Sequence, residues 1–215
     1  WASDVQGALG RGATLVVTSL AAGTHTLTAS VADSSGLTTT AGVPVTVLPN
    51  VLTFPALADA YVSAATPGQN FGSARTLQAD AIPVLASYLR FQVEGTTAFR
   101  IEQATLRLAV SDARGATSVS SGSVYQLADA GWDEQSLTFA TRPPLDGDPL
   151  ATGGTAAKGA IIEFDVTPAV AGDGPVAFGL ASASGDAVKY HSREAAGRHP
   201  ELVVRLRPAR PSQPP

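Results

Sequence analysis

Ser87 to Val93, with the sequence Ser-Tyr-Leu-Arg-Phe-Gln-Val, is the stretch that predicts the fold of this chain. Leu89, Phe91 and Val93 alternate with Tyr88, Arg90 and Gln92, and a period of two is typical of a β-strand with one buried face. The same alternation returns in later segments of the chain. Residues from about 52 to 207 are therefore predicted to form one antiparallel β-sandwich of packed sheets.

Composition limits the classes of protein to which the chain can belong. Its 215 residues are 44% hydrophobic and 15% charged with a net charge of −4, so charge alone does not attract nucleic acid. The absence of cysteine excludes disulfides, thiol catalysis and cysteine-bound metals. No apolar run approaches the ~20 residues of a membrane span. Few lysines, abundant threonine, serine, glycine and alanine, and short strands favour a secreted or cell-surface all-β module.

The pattern divides the chain into three parts. Residues 1–49 contain three or four predicted strands, which is too few for a sandwich of about seven. Pro49 and Asn50 mark the boundary, because proline removes a donor from a strand ladder and asparagine favours turns. Residues 50–207 form the second unit, and the proline-rich residues 208–215 are predicted to be a linker or tail.

The first part resembles the C-terminal half of a bacterial immunoglobulin-like repeat. The matching residues are Trp1-x-Ser3-Asp4, Leu9-Gly10-x-Gly12, Leu20-x-x-Gly23-Thr24-His25 and Ala32-Asp33-Ser34-x-Gly36. The resemblance implies a partial immunoglobulin-like β-sandwich, with two further strands before Trp1. Because an open sheet edge invites pairing, we expect this unit to be mobile, completed by a neighbouring domain, or used for self-assembly.

The second part resembles the DNRLRE-type domain, which is similar to carbohydrate-binding module family 96. The matching residues run along the whole unit: Ala58-Asp59-Ala60-Tyr61-Val62, Asn70-Phe71-Gly72, Ser87-Tyr88-Leu89-Arg90-Phe91, Ala104-x-Leu106-Arg107-Leu108, Trp132-x-Glu134-x-Ser136-Leu137-Thr138-Phe139, Phe164-Asp165-Val166-Thr167, Ser192-Arg193-Glu194 and Pro200-Glu201-Leu202-Val203-Val204. The resemblance implies a jelly-roll-like β-sandwich without catalysis of its own. Such domains are found beside alginate lyases and in large secreted proteins.

Arg90 is an unusual residue for the centre of a strand, because a buried charge needs a partner. We expect a structural ion pair of Arg90 with Glu194 or Glu134, which would fix the register of the sandwich. The alternative is an arginine that binds a uronate carboxylate.

Aromatic side chains are candidates for stacking against sugar rings. Tyr88, Tyr190 and Trp132 are the candidates, with Arg90 as their polar neighbour, although most aromatic residues of a sandwich belong to its core. For Trp132 the alternative is a packing anchor. A groove lined by exposed Tyr88, Arg90 or Tyr190 would favour ligand binding, whereas a buried face would favour a structural role.

Three acidic residues are candidate ligands of a structural calcium ion. Asp59, Asp165 and Glu194 could hold a structural Ca²⁺, since hard cations bind carboxylate oxygens, but turn and cap roles are the alternative because no DxDxDG spacing is present. A zinc site of His191, Glu194 and His199 is disfavoured, because residues i and i+3 of a strand face opposite sides.

Two functions remain after the search for motifs. The sequence contains no Gly-x-Ser-x-Gly, His-Glu-x-x-His or Walker motif, and we expect no enzyme. The first hypothesis is a non-catalytic module that binds extracellular polysaccharide, including acidic polysaccharide. The alternative is a structural or adhesive spacer whose partners are neighbouring protein domains, assembled into a surface stalk or fibre.

Overall fold

The structure is a computed structural model that describes residues 1–208. The chain divides into two compact units, one ending at Asn50 and the other beginning at Val51. Pro208 is the last residue of a strand, and the rest of the predicted proline-rich tail, residues 209–215, lies outside the described residues. No helix of the described part is long and apolar enough to cross a membrane.

The first unit is a four-stranded antiparallel sheet in the order β2-β1-β3-β4. Its strands are β1 (Ala2–Ser3), β2 (Gly7–Ala8), β3 (Gly23–Ala32) and β4 (Thr38–Val47). His25 is buried, and its ring nitrogens lie 2.8 Å from the hydroxyl of Ser3 and 2.8 Å from the carbonyl oxygen of Ala21. A polar ring thus connects three segments where a larger domain would have apolar packing.

The second unit contains two antiparallel sheets and one short 3₁₀ helix, Thr167–Ala169. The order of the smaller sheet is β12-β9-β15-β5, and that of the larger is β11-β10-β13-β8-β7-β14, with β6 also paired to β8. The strands are β5 (Val51–Pro55), β6 (Ala58–Ser63), β7 (Thr76–Ala81), β8 (Val84–Val93), β9 (Phe99–Ala109), β10 (Gly122–Gln126), β11 (Ala151–Gly153), β12 (Ile161–Asp165), β13 (Gly174–Ala181), β14 (Val188–His191) and β15 (Glu201–Pro208).

The main core lies between the two sheets. It contains Leu106 and Leu108 of β9, Leu202 of β15, and Leu89 and Phe91 of β8, all fully buried. These residues follow the predicted alternation, since apolar side chains of each strand point to the facing sheet. The all-β antiparallel sandwich predicted from the sequence is confirmed.

The second face of β8 is partly covered as well, with Ala86 and Tyr88 buried and Arg90 and Gln92 half-buried, whereas the sequence predicted that this face meets solvent. Residues 127–145, here called the covering segment, contain no strand and lie over this face. Leu127, Trp132 and Leu137 of the segment form a second apolar cluster with Tyr88. The hydroxyl of Tyr88 donates a hydrogen bond of 2.9 Å to the carbonyl oxygen of Pro143. The buried apolar area of this cluster stabilises a segment that leaves the sheet after Leu127, whose N–H donates to the carbonyl oxygen of Ala177 of β13 at 3.0 Å.

Asn70 and Gly72 hold the covering segment from a neighbouring loop. The side-chain amide of Asn70 donates to the carbonyl oxygens of Glu134 at 2.8 Å and Leu137 at 2.7 Å. Gly72 lies so close to the same turn that a Cβ at this position would overlap the carbonyl oxygen of Glu134. Only glycine allows this close approach of two backbones.

We expect Gly72→Ala to destabilise the second unit by about 1–3 kcal/mol, because the added methyl group must displace the backbone at Glu134. Urea unfolding followed by circular dichroism measures this loss. Gly68→Ala is the matched control, since a Cβ there meets no atom within 4 Å. Equal stability of the two variants would show that the contact at Gly72 does not hold the covering segment.

Candidate binding groove and acidic cluster

Arg90 binds backbone carbonyl groups instead of a carboxylate. Its guanidinium donates to the carbonyl oxygens of Ala130 at 3.2 Å and Trp132 at 2.9 Å, and it lies 5.6 Å from the centre of the Trp132 ring. No ion pair of Arg90 with Glu194 or Glu134 occurs within residues 1–208. The predicted pair is therefore wrong, because the covering segment surrounds the guanidinium with carbonyl oxygens and the two acids bind another arginine.

The aromatic residues predicted to stack against sugars are buried. Tyr88 and Tyr190 are 0% exposed, and Trp132 is 8% exposed. Burial raises the pKa of both tyrosines, that of Tyr88 to about 12, and the Tyr190 hydroxyl donates to the carbonyl oxygen of Ser121 at 2.7 Å. These three rings offer no open face to a ligand, so the structure contradicts their predicted stacking role. Trp132 is a packing anchor against Tyr88, with ring centres 6.2 Å apart.

Three carboxylates gather where the covering segment meets the sheet. Ligand atoms of Asp59, Glu134 and Glu194 lie within 4.8 Å of one another, and we call these residues the acidic cluster. The guanidinium of Arg193 binds Glu134 at 2.8 Å and Glu194 at 3.2 Å. The backbone N–H of Arg193 donates to the carboxylate of Asp59 at 2.8 Å. Arg193 belongs to the matched stretch Ser192-Arg193-Glu194, so the sequence did point to this residue. Nothing in the sequence showed that Arg193, and not Arg90, is the partner of Glu134 and Glu194.

The three carboxylates of the acidic cluster share one guanidinium, that of Arg193. Burial is the main cause that raises the pKa of Asp59 to about 8, and the negative charges of Glu194 and Glu134 add to it. The Oε2 atom of Glu194 is buried without a hydrogen-bond partner in the described structure. A proton on Asp59 removes part of this repulsion, because it neutralises one of three adjacent carboxylates.

Of the three predicted calcium ligands, the structure brings two together. Asp59 and Glu194 share the acidic cluster with Glu134, whereas Asp165 accepts hydrogen bonds from the backbone N–H and hydroxyl of Thr167 at 2.9 and 2.6 Å. These bonds lower the pKa of Asp165, which has the turn role that the sequence left open. Calcium binding by the acidic cluster stays a prediction.

A groove lies on the outer face of the smaller sheet, beside residues 195–200. It consists of two adjoining hollows of about 420 and 340 Å³, both lined by Ala109, Gly197 and Arg198. We call it the Arg198 groove. Gly197 has a φ of +117°, a conformation that favours glycine and turns the chain toward β15. His199 and His191 line different hollows, and the ring of His199 lies 2.9 Å from the carbonyl oxygen of Ala195.

Charged residues form a row across the smaller sheet, and two of them, Arg107 and Glu201, line the groove. Glu163 of β12 and Glu201 of β15 stand directly opposite Arg107 of β9 in the two ladders. The Nε atom of Arg107 donates to Glu163 at 2.7 Å, so its charge is compensated. Arg198 differs, because its hydrogen bond of 3.2 Å goes to the carbonyl oxygen of Gly159 and none of the carboxylates in residues 1–208 pairs with it. A cationic group is thus available to an anion in this groove.

We expect Asp59→Asn to remove a pH dependence of stability. The unfolded chain releases this proton near pH 3.8 and the folded chain near pH 8, so the free energy of unfolding that depends on Asp59 falls as pH rises through this window. Asparagine resembles the protonated acid and does not titrate. The thermal midpoint of the variant, compared with wild type at pH 5 and pH 8, should decrease less across this range.

Asp165→Asn is the control, because the lowered pKa of Asp165 gives stability that is lost only as pH falls below the unfolded value of 3.8, so the midpoint of this variant should change between pH 5 and pH 8 as that of the wild type does. A midpoint of the wild type that rises with added calcium, but not in Asp59→Asn, would support the calcium prediction and contradict the protonated cluster.

Comparison with known proteins identifies the family of the second unit. The sequence model of carbohydrate-binding module family 96 matches residues 50–206, which is more than half of the chain. A search of curated proteins found no match. A carbohydrate-binding module is a non-catalytic kind of domain. Over residues 50–206, the chain belongs to carbohydrate-binding module family 96.

Proposed function

We propose that this protein is a non-catalytic part of a secreted or cell-surface protein and binds an extracellular polysaccharide that carries carboxylate groups. The family supports carbohydrate binding. The observation that supports the finer proposal is Arg198, an exposed guanidinium without a carboxylate partner in the described chain, at the centre of a groove. A guanidinium binds a carboxylate through two parallel hydrogen bonds.

The position of the groove suits a long ligand. The outer face of the larger sheet is occupied around Tyr88 by the covering segment, whereas the outer face of the smaller sheet carries the open Arg198 groove. A polysaccharide needs an open surface, and the covering segment leaves the smaller sheet free. Glu201 and Asp112 line the groove as acceptors for sugar hydroxyl groups.

Hydrophobic stacking contributes little to this binding. Ile161, which is 51% exposed, lines one hollow together with Pro55, and no phenylalanine, tyrosine or tryptophan of residues 1–208 lines either hollow. We therefore propose that hydrogen bonds and charge dominate the affinity, which makes it sensitive to salt. This contrasts with the stacking mode that the sequence suggested.

A structural or adhesive spacer is the second candidate function. The observation that favours it is in the first unit, where β4 forms an edge of the sheet and no strand of residues 1–208 pairs with its outer side. We propose that this unit is part of an immunoglobulin-like repeat, in which case neighbouring chain segments complete the domain.

We expect Arg198→Ala to weaken binding to alginate or polygalacturonate by roughly tenfold, about 1.4 kcal/mol, because a charge-assisted bidentate contact is lost. Affinity electrophoresis and isothermal titration calorimetry measure the change. Arg100→Ala is the matched control. Arg100 is an exposed arginine of β9, seven residues before Arg107, and it does not line the groove.

Each outcome of this experiment has a distinct meaning. If acidic polysaccharides bind but Arg198→Ala has no effect, the groove is not the binding site. If a neutral β-glucan binds as tightly as polygalacturonate, the carboxylate is not recognised. If no polysaccharide of the panel retards the wild type, the spacer function replaces the binding function.

A further inference from the structure

The open edge of the first unit carries one residue that cannot extend the sheet. In β4, Pro44 stands opposite Thr26 of β3. The N–H of Thr26 donates to the side chain of Asp4 at 2.8 Å, and its carbonyl oxygen accepts from the N–H of Asp4 at 3.2 Å. Both polar groups of Thr26 therefore point toward β1 and away from β4.

This orientation determines the direction in which Pro44 points. Residues opposite each other in an antiparallel ladder either exchange two hydrogen bonds or none. Since Thr26 directs its groups away from β4, the pair with Pro44 exchanges none, and the ring nitrogen of Pro44 faces the outer edge. Thr40, Gly42 and Thr46 are an even number of residues from Pro44 along the strand, so their N–H groups also face the outer edge. Proline removes one donor from the middle of this row.

The rest of β4 has the properties of a strand that pairs readily with another copy of itself. Residues 34–50 contain no charged side chain, and β4 consists mainly of threonine and valine. Val43 is 51% exposed and Leu37, just before the strand, is 74% exposed. Long, uncharged edge strands with high β-propensity associate edge to edge unless a charge, a bulge or a proline prevents it. In β4 the proline alone supplies this protection.

We propose that Pro44 prevents the sheet of the first unit from extending into a second copy of this chain. A strand that approached β4 would meet a missing donor and a pyrrolidine ring at the centre of the ladder. The unit can then expose an open edge without forming fibres through it. This inference is independent of the carbohydrate-binding proposal, and it opposes assembly of a fibre by edge-to-edge pairing of β4.

The test is Pro44→Thr in the full chain, examined by size-exclusion chromatography with light scattering over a wide range of protein concentrations. We expect the variant to form dimers or larger species, with a mass at least twofold above that of the wild type at high concentration. Val45→Thr is the matched control, because the N–H of residue 45 faces β3 and the outer edge is unchanged. Circular dichroism establishes that each variant is folded.

Pro44→Ala restores the same outward donor and keeps the proposal testable if Pro44→Thr misfolds. Thr40→Pro added to Pro44→Thr removes a different outward donor, and we expect it to restore the mass of the wild type. The proposal is overturned if folded Pro44→Thr has the mass of the wild type at all concentrations. It is also overturned if the double variant associates as strongly as Pro44→Thr, or if Val45→Thr associates equally.

Discussion

The fold of the second unit depends on the attachment of the covering segment to the outer face of the larger sheet. Arg90 donates from β8 to two carbonyl oxygens of this segment, and Tyr88 donates to a third near its other end. Buried carbonyl groups without a strand partner need donors from elsewhere, because an unpaired one costs about 1–3 kcal/mol. Side chains of the sheet thus take the place of a neighbouring strand.

This attachment explains why residues that match the family pattern gather in one region. Asn70 and Gly72 contact the turn at Glu134, Arg90 contacts the segment at Trp132, and Arg193 binds Glu134 from the loop after β14. These residues lie far apart in the sequence and share one task, which is to hold an irregular segment. Their roles are therefore explained by structure without a ligand, and the groove that we propose for sugars lies elsewhere.

The sequence predicted the strands well, because the alternation of apolar and polar residues is visible within a few residues of the chain. It predicted the site poorly, because the pairing of charged side chains depends on residues that are far apart in the sequence. Leu89 and Phe91 fill the main core as expected. Tyr88 and Arg90 lie on the more polar face of β8, and the same alternation would occur in a strand whose polar face meets solvent. Only the position of residues 127–145 decides that this face is covered. Either Arg90 or Arg193 could have paired with Glu194. A single sequence does not show whether a carboxylate binds the arginine next to it in the chain or an arginine on a distant strand.

The arginines show how position decides what the same side chain does. Arg90 binds carbonyl groups, Arg193 compensates two of the three carboxylates of the acidic cluster, and Arg107 pairs with Glu163 across neighbouring strands. Arg90 and Arg193 are held by the covering segment and the acidic cluster, and the Nε atom of Arg107 is occupied by Glu163. Arg198 is bound only to a backbone carbonyl and stands in an open groove. An anion gains most at such a group, because its binding breaks no ion pair of the protein.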